Sequence, residues 1–302
     1  MTYRKPTPFI RQIPAKAKAL AASLLIFLEI LATSCMMGPA LAQTSPSHGV
    51  FIPKLFDPNN RLVAPDLANV KTIRFLTADD YPPFEFIGAD GNLAGYNVDV
   101  ARAICEQLKI SCTIQPRRWD NLLAALTAKD GDAVIASMKE TPAAREKARF
   151  TLPYYLTPAR FVILAGSKKP SAEPEGLRGK TIGVLAHSAH EAFLRAFFSR
   201  SKIETFPNRW KLMEALRAKK IDLAFGDAIS LGVWMNGRQA ENCCAFVGGP
   251  YLEPEYFGHG VGIAVRPGDN ALREALNWAL QRLEERGVLT ELYLKYFPIG
   301  IY

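Results

Sequence analysis

The sequence predicts an α/β protein made of two similar lobes, each a mainly parallel sheet flanked by helices. Three observations lead there. Short apolar stretches alternate with helical patterns twice, over about residues 72–150 and 180–248. Two extended runs, 159–166 and 257–265, separate and follow the second block. The 260 residues after an N-terminal leader suffice for two cores of ordinary size. Strands that alternate with helices pair in parallel, because each crossover must run back along the sheet and covers a face as it does so. Two such blocks joined by two extended crossings predict lobes that close on a ligand by hinge motion.

The leader is read first. Arg4, Lys5, Arg11, Lys16 and Lys18 precede an apolar run from Ala19 to Leu31, and Ala40-Leu41-Ala42 is a small-x-small cleavage signal. Residues 1–42 are therefore expected to be a secretory signal peptide removed before Gln43. Glu29 inside the apolar run disfavours the alternative of an uncleaved anchor. A lipoprotein anchored at Cys35 is a further alternative, with Ala32 where a larger aliphatic residue is usual. The leader holds five basic residues and one acidic residue, so the mature chain carries 32 basic and 28 acidic side chains, a net of +4 rather than +8. No Lys/Arg cluster with interleaved aromatics remains, which argues against nucleic acid as a partner.

Residues 43–67, rich in Pro, Asn and Ser, read as an extension pinned by Phe51, Ile52, Leu55 and Phe56, or as a loose linker. The first lobe is expected over 68–157, the second over 158–258, with 259–302 returning to the first. Strands are expected at Ile73–Thr77, Cys112–Gln115 and Ala133–Ala136, and helices at Val98–Lys109, Asn121–Ala128 and Thr141–Arg149. The second block gives strands at Lys180–Leu185, Ile203–Phe206, Asp222–Phe225 and Ala245–Gly248. Its helices are Ala189–Phe198, Lys211–Ala218 and Ala228–Asn236. Two helices, 271–285 and 289–296, break at Gly287. Ser188 with Glu191 three residues on is a capping-box pattern.

Cys105 and Cys112 would close a short disulfide in an oxidising compartment, contributing about 2.5 kcal/mol by loop entropy. Cys243 and Cys244 form either a vicinal ring or two buried thiols. There is no CxxC pair or His cluster, so no metal and no cofactor is expected.

The stretch Gly131–Phe150 organises the chain: a buried strand breaks at Ser137 and restarts as a helix that Thr141 caps and Pro142 opens. A strand ending this way presents free N–H groups at the sheet's carboxyl edge, and Arg145 one turn on adds positive charge. Together they form a candidate carboxylate site.

Seven stretches, in order over about residues 72–300, resemble the family-3 periplasmic solute-binding proteins, the polar amino-acid receptors of ABC importers. They are Tyr81-Pro-Pro-Phe-Glu85, Gly91–Asp99, Trp119-Asp-Asn-Leu-Leu, Asp132–Arg145, Gly183-Val-Leu, Ala224-Phe-Gly-Asp227 and Tyr293-Leu-Lys-Tyr-Phe. The resemblance implies the two-lobe periplasmic-binding-protein (Venus-flytrap) fold. It also implies Tyr81 as an aromatic wall over the ligand side chain, Trp119 in the side-chain pocket, and Ser137 offering a backbone carbonyl to the ligand ammonium. Asp227 would be the ammonium-binding acid, and Ser188 would offer its hydroxyl and neighbouring N–H groups to the carboxylate. The 105/112 spacing matches a disulfide of some members.

Three positions depart from the family pattern. Ala144 stands where the carboxylate-binding Arg is usual, one residue before Arg145. Lys139 stands where a small hydroxyl residue helps bind the ammonium, and His187 where Gly is common. The resemblance implies a periplasmic, monomeric receptor that delivers an L-amino acid or related zwitterion to an inner-membrane permease. The alternative is a periplasmic dehydratase-type enzyme on the same scaffold, with Asp80, Glu85, Lys139 and His187 as available acids and bases. Asp79, Asp80 and Glu85 near the cleft lip favour a basic side chain, Lys139 and His187 an acidic one.

Overall fold

A computed structural model of the chain describes residues 52–66, 70–297 and 300–302, so the expected signal over 1–42, Cys35 and Phe51 lie outside the described residues. The apolar alternation after residue 70 produces β1 (Thr72–Thr77), with Ile73, Phe75 and Leu76 fully buried. Next come β2 (Asp80–Tyr81), β3 (Glu85–Ile87), β4 (Leu93–Ala94), α1 (Tyr96–Leu108) and β5 (Ser111–Pro116). A 3-10 turn at Trp119–Asn121 leads to α2 (Leu122–Thr127), β6 (Ala133–Val134), α3 (Pro142–Lys147) and β7 (Arg149–Phe150). The chain then crosses through β8 (Ala159–Leu164) into β9 (Thr181–Leu185), α4 (Ala189–Phe197), β10 (Lys202–Phe206), α5 (Arg209–Arg217), β11 (Leu223–Asp227) and α6 (Ala228–Asn236). It closes with β12 (Cys244–Tyr251), α7 (Pro254–Phe257), β13 (Ala264–Val265), α8 (Asn270–Glu285) and α9 (Val288–Tyr296).

Two five-stranded sheets result, ordered β5-β1-β6-β13-β7 and β10-β9-β11-β8-β12. In the first, β1 is parallel to β5 and β6, while β13 is antiparallel to both its neighbours. In the second, β9 is parallel to β10 and β11, while β8 is antiparallel to both its neighbours. Four strands of each sheet therefore run one way and one runs against them. The reversed strands, β8 and β13, are where the chain arrives from the other sheet, so no βαβ crossover dictates their direction.

The small antiparallel sheet β2-β3-β4 was not expected. Its strands are two or three residues long, too short for a period to show. The extended crossing expected over 257–265 is instead α7 followed by an irregular stretch ending in two-residue β13. Pro254 opens that helical turn and Gly258 and Gly260, at φ 81° and 99°, bend the chain out of it.

The long helix α8 shows why the pattern folds as it does. Leu272, Ala275, Leu276, Ala279, Leu280 and Leu283 are all buried at three- and four-residue spacing, one apolar stripe against the first sheet's core. Each such Leu contributes about 1.5–3 kcal/mol by leaving water. The stripe's flank holds residues 52–62: Phe56 is buried, Leu55 and Phe56 N–H donate to the Glu284 carboxylate at 2.6 and 3.1 Å, and Leu62 N–H donates to Gln281 at 2.9 Å. Gly287, at φ 77°, separates α8 from α9.

Both cysteine pairs are bonded. Cys105–Cys112 ties α1 to β5, and Cys243–Cys244 forms a vicinal ring, which resolves the open choice at that pair. Residues 300–302 lie across the crossings. Arg160 on β8 donates to the carbonyls of Tyr302 at 3.1 Å and Gly248 at 2.7 Å, and the Tyr302 hydroxyl accepts from Leu156 N and donates to Leu156 O, both at 3.0 Å.

Candidate functional site

A cavity of about 400 Å³ opens at the carboxyl end of the first sheet, lined by Asp80, Tyr81, Trp119 and Ser137. The four residues come from three places in the chain, Asp80 and Tyr81 together forming β2. Tyr81 ends β2, Trp119 starts the 3-10 turn after β5, and Ser137 follows β6. Open sheets with parallel strands place ligands at this edge.

The walls are aromatic and partly exposed. Tyr81 keeps 46% and Trp119 45% of its surface accessible. Tyr81 is backed by Phe84, stacked at 5.2 Å between centroids, and Phe84 stacks on Tyr155 at 5.1 Å. This column fixes the Tyr81 ring while leaving its outer face free. Burial first, then the carboxylates of Asp227 and Glu85, raise the Tyr81 phenol above its ordinary value, so the ring is neutral with an intact O–H.

Ser137 has φ 57°, the left-handed conformation that suits Gly better than Ser. Its hydroxyl is held from below. Asn97 Nδ2 donates to Ser137 Oγ at 3.0 Å and to Glu85 Oε2 at 2.5 Å, and the Tyr154 hydroxyl donates to Asn97 Oδ1 at 2.7 Å. Glu85 is the largest departure from expectation here. It is not at the cleft lip but wholly buried, because β3 pairs it with Tyr81 and folds it under the hairpin. Burial drives its carboxyl up to about 8, against the pull of the Asn97 hydrogen bond.

The residues expected to bind the carboxylate are not all in one place. Arg145 Nε donates to Glu140 Oε1 at 2.9 Å on the exposed side of α3. With Lys139 it lines a second cavity of about 360 Å³ against residues 254–260. Lys139 is exposed and enters no ion pair among the described residues. Thr141 caps α3 as expected, accepting from Ala144 N–H at 3.2 Å.

On the second sheet, Ser188 follows β9 and Asp227 is the last residue of β11, both at the carboxyl ends of the strands. Ser188 Oγ accepts from Glu191 N–H at 3.2 Å and donates to Leu185 O at 2.7 Å. Glu191 completes the box one residue earlier than the usual pattern, accepting from His187 N–H at 2.7 Å. Asp227 is partly buried and caps α6, accepting from Ser230 N–H at 2.7 Å.

Two further residues belong here that the sequence alone did not single out. Asn97 lies inside the Gly91–Asp99 motif, but its role depends on Gly95, where a Cβ would meet Phe84 O at 2.2 Å. That close approach sets Tyr96 N–H on Pro83 O at 3.0 Å and Asn97 N–H on Phe84 O at 2.9 Å, aiming Asn97 at Glu85. His190 stacks on Phe257 at 5.1 Å. Burial lowers its pKa, Asp227 opposes and Lys139 adds to the lowering, so the ring is neutral at pH 7 and reports Asp227 and Lys139 on either side of its balance.

Residues 73–299 match the bacterial extracellular solute-binding proteins, family 3. The L-arginine-binding protein of Pseudomonas aeruginosa is 33% identical over 243 residues, covering 80% of this chain and 93% of that protein. The histidine-binding periplasmic protein of Escherichia coli K12 is 31% identical over 237 residues, covering 77% and 90%. Among solved structures, the unliganded, open L-cystine solute receptor of Neisseria gonorrhoeae superposes with a TM-score of 0.67 at 22% identity, covering 77% of this chain and 95% of that one, a likeness of fold. The fold and the match over most of the sequence place this chain in the bacterial extracellular solute-binding proteins, family 3.

Proposed function

We propose that this protein is the extracytoplasmic receptor of an ABC importer and that its ligand is a basic L-amino acid. The observation that carries the ligand class is the lining of the 400 Å³ cavity, where Asp80 shares the space with the faces of Tyr81 and Trp119. A cationic side chain gains there from both a carboxylate and two rings, each cation–π contact contributing about 0.5–2 kcal/mol. The relatives named for arginine and histidine binding support the same class.

The ligand's ammonium is assigned to Asp227 and the Ser137 carbonyl, and its carboxylate to the start of α4 at Ser188 together with Lys139, which enters no ion pair among the described residues. Tyr81 and Trp119 hold the side chain. Arg145, held by Glu140, stays outside this set. Closure of the two sheets about the crossings brings these groups onto one ligand and excludes water, which strengthens each charged contact. A dissociation constant near 1 μM needs about 8 kcal/mol, within reach of two ionic ends and one stacked side chain. The leader over 1–42 delivers the chain to the periplasm, where it acts as a monomer and presents its closed form to the permease.

Thermal-shift and calorimetric titration of the purified protein with the twenty amino acids tests the reading, since a ligand bound by the native state raises the melting temperature. Stabilisation by arginine, histidine or lysine and not by glutamate or aspartate is expected. Silence from every amino acid, with a response to keto acids or dicarboxylates, overturns it and favours the dehydratase alternative.

A further inference from the structure

Glu85 has no exposed surface, and its Oε1 has no hydrogen-bond partner among the described residues, yet it is paired with Tyr81, which lines the cavity. Directly paired residues of an antiparallel ladder project to the same face. Glu85 is paired with Tyr81, so both side chains leave β2-β3 on one face, Tyr81 exposed and Glu85 buried. From there Glu85 Oε2 accepts from Asn97 Nδ2, which also bonds Ser137 Oγ at 3.0 Å. Ser137 lines the cavity in a backbone conformation that a non-glycine residue leaves readily unless it is held.

We propose that Glu85 is a positioning residue for ligand capture: its carboxyl group holds Asn97, and through Asn97 holds Ser137 in the conformation that receives the ligand. The inference rests on the reading of this cavity as the amino-acid site. Its consequence is an upper pH limit on capture. The titratable groups facing Glu85 are Asp80 and Tyr81 from β2, and Tyr154 and Tyr155 from the segment after β7. The first helix contributes only uncharged Asn97, and the loop after β6 only uncharged Ser137. Three of the four titratable neighbours are phenols and the fourth is a carboxylate. None can neutralise a charged Glu85, and among the described residues it has no cationic partner.

Ionisation strengthens the Asn97 bond itself but places a second negative charge, fully buried, close to Asp80; that cost is relieved by movement of the hairpin that carries Glu85, and Asn97 and Ser137 move with it. The competent fraction then falls with the neutral fraction of Glu85, and the apparent dissociation constant rises in proportion. With the group titrating at about 8, affinity at pH 9 is expected to be roughly tenfold weaker than at pH 6.

The test uses the whole protein, its Glu85→Gln variant, which is neutral at every pH and nearly the same shape, and Ser137→Ala. Hydrogen exchange of the segment 133–141, corrected for intrinsic pH dependence, is followed from pH 6.5 to 9 without ligand. L-arginine affinity is measured by calorimetry over the same range. Loss of protection in the wild type above pH 8, absent in Glu85→Gln, supports the proposal, as does an affinity decline that is about tenfold steeper in the wild type than in the variant. Titration of the ligand's own ammonium appears equally in both proteins and cancels. Identical pH courses in wild type and Glu85→Gln overturn it, and so does wild-type protection in a Glu85→Gln protein that no longer binds. If L-arginine binds neither protein while the exchange difference appears, the positioning role stands and the reading of the ligand fails. Ser137→Ala separates the two ends of the network. It is expected to weaken binding while the carboxyl of Glu85, followed by carbon NMR, still titrates near its wild-type value.

Discussion

The guanidinium of Arg145 in α3 bonds the carboxylate of Glu140, five residues back in the preceding loop, at 2.9 Å on the exposed side of the helix. One helical position turns a side chain by about 100°, and Ala144, buried, occupies the inward direction that an arginine would need. Arg145→Ala is therefore expected to leave L-arginine affinity within about twofold and stability within about 1 kcal/mol, as for other exposed pairs. Lys139→Ala is expected to weaken binding by more than tenfold. Calorimetry on both variants decides between them, and the reverse order would return the carboxylate to Arg145.

Asp227 carries two roles that one substitution can separate. Its Oδ1 caps α6 through Ser230 N–H, which an asparagine can still do, whereas the charge is lost. Asp227→Asn should retain the wild-type unfolding midpoint within a few degrees and lose about 2 kcal/mol or more of binding, roughly thirtyfold, by analogy with other desolvated charge pairs. Retained affinity in Asp227→Asn removes the ammonium assignment.

Tyr81 and Trp119 are each nearly half exposed, so truncating them removes little core. Trp119→Ala should weaken L-arginine binding by about 1–2 kcal/mol, some five- to thirtyfold, with little change in stability. A loss of stability larger than the loss of affinity, measured by denaturation and calorimetry in parallel, would make Trp119 a packing residue instead.

The segment 52–62 is tied to α8 by two backbone N–H groups on one carboxylate, that of Glu284. Hydrogen bonds to a charged acceptor contribute about 1.5–3 kcal/mol each at most, and less where water competes. Glu284→Ala should raise hydrogen exchange and proteolysis within residues 52–62 while leaving ligand binding intact. Unchanged protection there would mean that Phe56 and the Gln281 hydrogen bonds pin the segment without Glu284.

On the acid side the stability profile has a defined sign at His190. Its folded-state pKa lies below the usual value, chiefly because it is buried. Below pH about 6.5 the unfolded chain takes up a proton that the native ring resists, so this group makes stability fall as pH falls. His190→Phe should flatten the profile between pH 5 and 7 in chemical denaturation. A steeper decline in the variant would locate the acid sensitivity elsewhere.

Much of this was legible in the residues. A period of about 3.6 located α1, α8 and α9, which each bury one face, and continuous apolar runs located β1 and β9, which are buried on both, all to within one or two residues. Thr141, Pro142 and Ser188 marked helix starts, since a cap is a local interaction among residues three apart. The short strands β2, β3 and β4 and the helical turn α7 were not legible. Elements that short have no period, and partners far along the chain hold them, as Val261 bridges both Lys139 and Tyr155.

By itself the sequence determined the alternation of strands and helices, hence two sheets, and the motifs that name the family. Those depend on local spacing and on which residues can leave water. The tertiary structure alone decided where charges point and which polar groups are buried: that Arg145 turns to Glu140, that Glu85 lies beneath Tyr81 rather than at the lip, and that Asn97 joins it to Ser137. The physical reason is that a side chain's direction and ionisation follow from the neighbours that exclude water from it, and those neighbours, 12 and 40 residues away for Asn97, meet only when the chain has folded.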